Sequence, residues 1–226
     1  MKEVDILQER AETDFITTLL DFNYIADDAQ LKHLVQKTAM IAHKLPAYSS
    51  WPLDRKQFWD AEALCWNGRI EKEVRDFIRG ELSFLQGNNL DLGSGTVCYV
   101  PNSTAVDFSE EMLHINPAQN KVIADLNKKL PFDDESFDSV TMVFVVHYVE
   151  DVPQLLCNVH RVLRLGGHAV IVQSASVLGL HRIHYKNALG EAEMRMLMKS
   201  AGFRVQSYEE LVNGKKLLFL IGEKTV

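Results

Sequence analysis

Cysteine is scarce in this chain. Its 226 residues hold three, Cys65, Cys98 and Cys157, odd in number and far apart. That argues against a disulfide framework and against a CxxC zinc site. Long apolar runs are missing as well: no stretch approaches the roughly 18–20 apolar residues that span a bilayer. The acidic opening Met1-Lys2-Glu3-Val4-Asp5 lacks an apolar leader region, so the expectation is a cytoplasmic protein without a membrane partner. Basic charge is not in excess either, with 24 Lys and Arg against 31 Asp and Glu and a net charge of −7. A nucleic-acid partner is therefore not expected, because phosphate contacts need a concentrated basic face. A small anionic substrate, which needs only one or two local cations, stays compatible. Internal repeats and low-complexity linkers are also absent. What remains is an ordinary globular composition, 46% hydrophobic and 24% charged, long enough for one sizeable core and short for two full domains.

The apolar pattern changes period along the chain. Residues 1–86 read as a helical N-terminal cap that belongs to the same domain as the rest. Leu7, Phe15, Leu19 and Phe22 fall at near-helical spacing, and Ala29 to Leu45 predict a second helix broken by Pro46 and by Ser49-Ser50-Trp51-Pro52. A third is expected from Asp54 to Leu64 and a fourth from Ile70 to Leu85, with Val74, Phe77, Ile78, Leu82 and Leu85 on one stripe. The charges Glu71-Lys72-Glu73 and Arg75-Asp76 read as its solvent face. From residue 87 strands and helices alternate. Strands are predicted at 90–92, 104–107, 121–124, 139–144 and 168–172, helices at 109–116, 151–163 and 191–200. A final antiparallel pair, 203–208 and 216–222, is joined around Asn213-Gly214. Such alternation predicts an α/β fold, a Rossmann-like doubly wound and mostly parallel sheet. Its ligand crevice should lie at the carboxyl ends of the strands.

Three motifs stand at those ends. Asn89-Leu90-Asp91-Leu92-Gly93-Ser94-Gly95-Thr96 runs a strand into a Gly-x-Gly turn, where missing side chains let backbone amides approach a ligand. Ala105-Val106-Asp107-Phe108-Ser109 puts a carboxylate at the next strand end, suited to a ribose diol, and Ser109 can cap a helix through Met112. Ala124-Asp125-Leu126 follows the third strand. A dinucleotide-dependent oxidoreductase is the rival reading of the glycines, but its third glycine is missing, since position 98 is Cys.

The ordered text LDLGSGT, AVDFSEEML, ADLNKKLPFDDESFDSVTMVFVVHYVED, RVLRLGGHAVI and AGFRV over residues 88–222 resembles the class I S-adenosylmethionine-dependent methyltransferases, especially the small-molecule group with the ubiquinone/menaquinone-type enzymes. The resemblance implies that Asp91, Gly93, Ser94 and Gly95 surround the methionine part of S-adenosylmethionine. It implies that Asp107 holds the ribose, that Phe108 and Met112 flank the adenine, and that Asp125, with the backbone of Leu126, reads its edge. Val143, Phe144 and then His147 would face the reacting centre, with S-adenosylhomocysteine as product. One departure stands out. Val97 replaces a further glycine, and residues 96–103 are too few for a crossover helix, so an irregular turn bent at Pro101-Asn102 is expected. The sheet face so exposed would be covered by the N-terminal helices.

Methyl transfer is an in-line displacement that needs alignment, desolvation and sometimes a base, but no metal. His147 is the candidate base, with helix capping or packing as its plainer role. His181, His184 and Tyr185 follow the fifth strand, where a substrate loop is common. His181-x-x-His184 has no visible third metal ligand and reads as a polar loop. Trp51, Trp59 and Trp66 lie in a region that roofs the site in similar enzymes, so Trp51 is a substrate candidate, while core packing suits at least two of the three. Arg69 reads as a partner for a cofactor carboxylate or as a solvated helix charge. The expected function is methyl transfer to a small molecule. The alternative is a methyltransferase-like binding or regulatory module without activity. Oligomeric state is open.

Overall fold

The computed structural model describes residues 2–24, 27–174 and 179–225. Contacts divide the chain into two compact units, Met1–Ile70 with Leu178–His184, and Glu71–Val177 with Tyr185–Val226.

The first unit is helical: α1 Lys2–Asp21, α2 Asp28–Ala42, α3 Arg55–Ala63 and the short α4 Trp66–Arg69. Asp27 and Asp54 cap α2 and α3, accepting from the amides of Gln30 and Gln57 at 2.8 Å each, which satisfies donors the helices leave free. Phe15, Leu19, Phe22, Trp51 and Phe58 fill its interior. Phe15 stacks on Tyr48 at 4.8 Å and meets the edge of Trp51 at 5.9 Å.

This interior also holds charge. Glu62, fully buried, accepts from Arg69 Nε and Nη2 at 3.0 Å each and pairs with His181 Nε2 at 3.0 Å. Arg69 further donates to the Leu19 carbonyl at 2.9 Å and to Cys65 Sγ at 3.2 Å. Neither sequence expectation for Arg69 holds: it is a buried structural cation, chosen by an acid seven residues back in the chain. Burial alone would raise the Glu62 carboxyl. The charges and hydrogen bonds of His181 and Arg69 overcome that and hold it at about 2. Burial and the Glu62 charge push the Cys65 thiol up to about 12, so it stays an inert thiol.

The second unit carries α5 Lys72–Glu81, β1 Asn89–Leu92, β2 Thr104–Asp107, α6 Glu110–Ile115, β3 Asn120–Ile123, β4 Phe137–Val143, α7 Val152–Val162, β5 Leu163–Ser174, α8 Glu191–Ser200, β6 Phe203–Val212 and β7 Lys215–Lys224. The seven-stranded sheet has the order β3-β2-β1-β4-β5-β7-β6. Its first five strands pair parallel, and β7 runs antiparallel to both β5 and β6. The mostly parallel sheet and the terminal antiparallel pair are as expected. β6 and β7 turn at Asn213 and Gly214, both at positive φ, the geometry that matches strand twist in a two-residue hairpin. α5, expected with the cap, groups with the sheet, because Phe77 meets Phe219 at 6.3 Å and Glu71 pairs with Lys215 at 3.1 Å.

Alternation along the strands gives the sheet two unlike faces. Leu90, Leu92, Val140, Met142, Ala169 and Ile171 join α7 and α8 in the apolar core. The opposite face of β1 and β4 carries Asn89, Asp91, Ser139 and Thr141, all buried. They satisfy one another in a chain. Ser139 Oγ donates to Asn89 Oδ1 at 2.8 Å, Asn89 Nδ2 donates to Thr141 Oγ1 at 3.1 Å, and Thr141 Oγ1 donates to Asp91 Oδ1 at 2.8 Å. As expected, no helix links β1 to β2, and Asn102 bends the segment at φ 61°. Its ends are tied by side chains: Asn89 Nδ2 donates to Ser103 Oγ at 2.8 Å and Ser103 Oγ to the Val100 carbonyl at 2.6 Å.

Candidate active site

Sheet order reverses between β1 and β4, and the motifs meet at the carboxyl ends beside that switch. Gly93 and Gly95 turn the chain at φ 65° and 54°. Gly95 N donates to Asp107 Oδ2 at 2.9 Å, Ser94 N donates to the Val106 carbonyl at 3.0 Å, and Ser109 N donates to Asp107 Oδ1 at 3.0 Å. One carboxylate thus holds the glycine turn and starts the next helix. Ser109 Oγ caps α6, accepting from Met112 N at 3.2 Å. Ala124 N donates to the Asp107 carbonyl at 3.0 Å, which brings the third motif alongside. Asp125 Oδ1 accepts from Asn127 N and Nδ2 at 3.1 and 3.0 Å.

Asp91 is 1% exposed, and while Oδ1 is bonded to Thr141, Oδ2 has no partner. Burial pushes its carboxyl up to about 7, with the Asp107 charge adding to the rise and the Thr141 bond opposing it. Ser94 Oγ, buried in the turn, also lacks a partner. An orphaned carboxylate oxygen of this kind is costly unless a donor arrives. An ammonium group from a ligand would supply one.

The far wall is built by the chain after β4. Phe144 leaves the strand at φ 57°, a left-handed conformation rare outside glycine, while its amide still donates to the Val172 carbonyl at 2.8 Å. Val143 is buried and Phe144 half-buried. His147 follows in a 3-10 turn, its ring stacked on Tyr185 at 4.8 Å and its Nδ1 buried without a partner. Burial holds its imidazolium below the ordinary range, so the ring is neutral near pH 7. Asn187 Nδ2 donates to the carbonyls of Val146 and Val149 at 2.9 Å each, fixing this turn.

Residues 90–171 match the family model described as a methyltransferase domain. The chain is 33% identical over 140 residues to a demethylmenaquinone methyltransferase of Chlorobaculum tepidum, 55% of this chain and 57% of that one. It is 30% identical to a ubiquinone/menaquinone biosynthesis C-methyltransferase of Geotalea daltonii, over 51% of this chain and 59% of that one. Over residues 90–171 the chain is thus similar to methyltransferase domains. Among solved structures, the Haemonchus contortus phosphoethanolamine N-methyltransferase 2 in complex with S-adenosyl-L-methionine shares the fold with a TM-score of 0.62 at 13% identity, covering 77% of this chain and 59% of that chain. The chain spans less than three-fifths of the length of the two curated relatives.

Within the sheet unit, Asp91, Gly93, Ser94, Gly95, Asp107, Phe108 and Asp125 gather at neighbouring strand ends. His147 and Tyr185 form a separate aromatic pair. Val145 links the two groups, since a Cβ on Gly93 would stand 2.2 Å from its Cγ2. Met112 and Leu126 are 2% and 7% exposed, and the Leu126 side chain packs within the apolar core. Trp51, His181 and His184 lie in the helical unit's interior and not on a polar loop. Trp51 is enclosed by Phe15 and Phe22, His181 stacks on Trp59 at 5.7 Å, and His184 Nε2 meets the Pro52 carbonyl at 2.9 Å. Apolar neighbours in the sequence far from positions 181 and 184 drive that burial. Among the described residues no cluster of His, Cys, Asp and Glu suits a metal ion.

Sequence reasoning missed Asn116, whose Nδ2 donates to the carbonyls of Gly95 and Val97 at 2.8 and 3.3 Å. It also missed Asn89, Thr141 and Val145. Nothing in the local text marks them, because each acts on a strand or turn distant in sequence.

Proposed function

We propose that the sheet unit binds S-adenosylmethionine and transfers its methyl group to a small aromatic acceptor of the quinone type. The orphaned Asp91 Oδ2 beside the Gly93–Gly95 turn carries this reading, since it asks for the ammonium group that the cofactor has. Asp107 supports it as a buried carboxylate at the end of β2, a residue type suited to a ribose diol, and Asp125 and Phe108 by lying at neighbouring strand ends. The relatives, named as demethylmenaquinone and ubiquinone/menaquinone methyltransferases, support the acceptor class. The cofactor supplies an electrophilic sulfonium methyl: the S–CH3 bond breaks as the acceptor atom bonds to carbon, and the acceptor's proton leaves. His147 takes that proton at its unpartnered Nδ1, where burial keeps the ring neutral against the opposing hydrogen bond of Asn187. Tyr185 holds the imidazole plane by stacking.

Thermal unfolding tests the binding step. At about 100 times its dissociation constant, S-adenosylhomocysteine should stabilise the protein by about 2.7 kcal/mol, and Asp107→Ala should abolish that shift. No shift in the wild type sinks the reading. With an acceptor found by labelled methyl transfer, His147→Ala should bind the product normally and lose about 100-fold or more in kcat. An unchanged kcat removes the base role.

The Asp91 carboxyl makes a separate prediction. Its pKa is raised to about 7, so the acceptor form prevails only above that pH. Affinity for S-adenosylhomocysteine, measured calorimetrically, should fall about ten-fold per pH unit below 7 and level off above it. A flat profile from pH 5.5 to 8 would show that Asp91 does not meet the ammonium.

A further inference from the structure

Residues 96–103 stand where such folds place a crossover helix, and they put one large polar side chain indoors. Tyr99 is 5% exposed, and its hydroxyl is buried with no partner. The backbone around it is pinned on both sides. Val97's carbonyl accepts from Asn116 at 3.3 Å, Cys98's from Arg79 Nε at 3.4 Å, and Val100's from Ser103 Oγ at 2.6 Å. A tyrosine held this firmly with an idle donor is arranged for a ligand, because a buried hydroxyl without a partner otherwise only costs stability.

Its surroundings say which ligand group. The charge of Asp91 acts on the Tyr99 phenol, with those of Arg75 and Arg79 on α5 opposing it, so the phenol lies near Asp91 on β1. Burial and the Asp91 charge push the phenol above its ordinary range, so it keeps its proton and remains a donor. Three buried polar atoms without partners therefore come from one stretch of chain: Asp91 Oδ2, an acceptor, and Ser94 Oγ and Tyr99 OH, which can donate. An acceptor carboxylate and two hydroxyl donors from one stretch of chain are complementary to a zwitterion, ammonium toward the acid and carboxylate toward the hydroxyls.

We propose that the Tyr99 hydroxyl donates a hydrogen bond to the α-carboxylate of the bound cofactor, so that the segment replacing the crossover helix selects ligands that carry an amino-acid end. This rests on the cofactor reading above and deepens it by assigning one group of the ligand to a residue outside the recognised motifs. The bond removes no proton and forms no covalent link. Its effect is on affinity and on discrimination between adenosine thioethers with and without the amino acid.

Calorimetry on wild type and Tyr99→Phe, with S-adenosylhomocysteine and 5′-methylthioadenosine as the two probes, tests this. The second probe keeps the adenosine and sulfur and lacks the amino-acid end. For Tyr99→Phe the dissociation constant of S-adenosylhomocysteine should rise about ten-fold or more, as for loss of a hydrogen bond to a charged group. That of 5′-methylthioadenosine should stay the same, and the ligand-free melting temperature should not fall, since the substitution removes an unpaired hydroxyl from the interior. An unchanged S-adenosylhomocysteine affinity overturns the proposal, and so does an equal loss for both probes, which marks a packing role. If the wild type binds neither probe, the cofactor reading itself fails, an outcome distinct from the other two.

Discussion

Glu62→Ala is expected to lower the stability of the helical unit by about 3–5 kcal/mol, the usual cost of removing one partner from a buried ion pair. The alanine would take from the Arg69 guanidinium, its side chain 2% exposed, the carboxylate that pairs its charge, and would leave His181 without its acid. All three tryptophans, Trp51, Trp59 and Trp66, belong to this unit, so their fluorescence during urea unfolding reports on it selectively. The midpoint should move down with an unchanged slope. A shift worth under about 1 kcal/mol would mean that the ion network is dispensable, as exposed pairs are. The pH dependence has a definite sign. The folded carboxyl titrates near 2 and its ordinary value is 4.5, so its contribution is complete above pH 4.5 and disappears as the pH falls through that window toward 2. Glu62→Gln should flatten that part of the acid-unfolding curve.

Gly93→Ala should cost cofactor affinity about 100-fold or more, with about 1–3 kcal/mol of stability, the range for forced overpacking. Two effects add at this position. The φ of 65° is one that an alanine adopts only at a cost, and the new Cβ would lie 2.2 Å from Val145 Cγ2 and 2.7 Å from its Cβ. Relief requires the turn after β1 to part from the chain after β4. That separates Ser94 and Gly95 from Asp107 on one side and shifts the wall leading to His147 on the other. Trimming the second partner provides the control. In Gly93→Ala with Val145→Ala part of the lost affinity should return, a coupling of about 0.5–3 kcal/mol. If the single variant binds S-adenosylhomocysteine as the wild type does, the glycine turn is not part of the binding site.

Much of the sheet unit could be read from local text because its signals are local. Thr104–Asp107 and Glu191–Ser200 fall where the pattern put them, since a buried strand and an amphipathic helix each announce themselves within their own length. Ser109 caps its helix and Asn213-Gly214 makes its turn for equally short-range reasons. The strand at 168–172 runs instead from Leu163 to Ser174. Its added first part, Arg164-Leu165-Gly166-Gly167, lies at a register shift, between the pairs Phe137–Leu163 and Ser139–His168.

The sequence by itself determined the fold class, the order of the elements, the three strand-end motifs and the missing crossover helix, because periodicity, caps and glycine positions act over a few residues. Tertiary structure decided the fates of the lone polar side chains. Arg69, His181 and His184 look like surface groups in the text, yet Glu62, Trp59, Phe58 and the Pro52 carbonyl receive them indoors. Asp91 keeps one oxygen free only because Ser139, Asn89 and Thr141 orient the other across two strands. Tyr99 has an idle hydroxyl only because carbonyls on either side of it are held by Asn116, Arg79 and Ser103. A buried polar group takes its role from whichever partner the fold brings within hydrogen-bond reach, and those partners are set by long-range packing that no window of sequence contains.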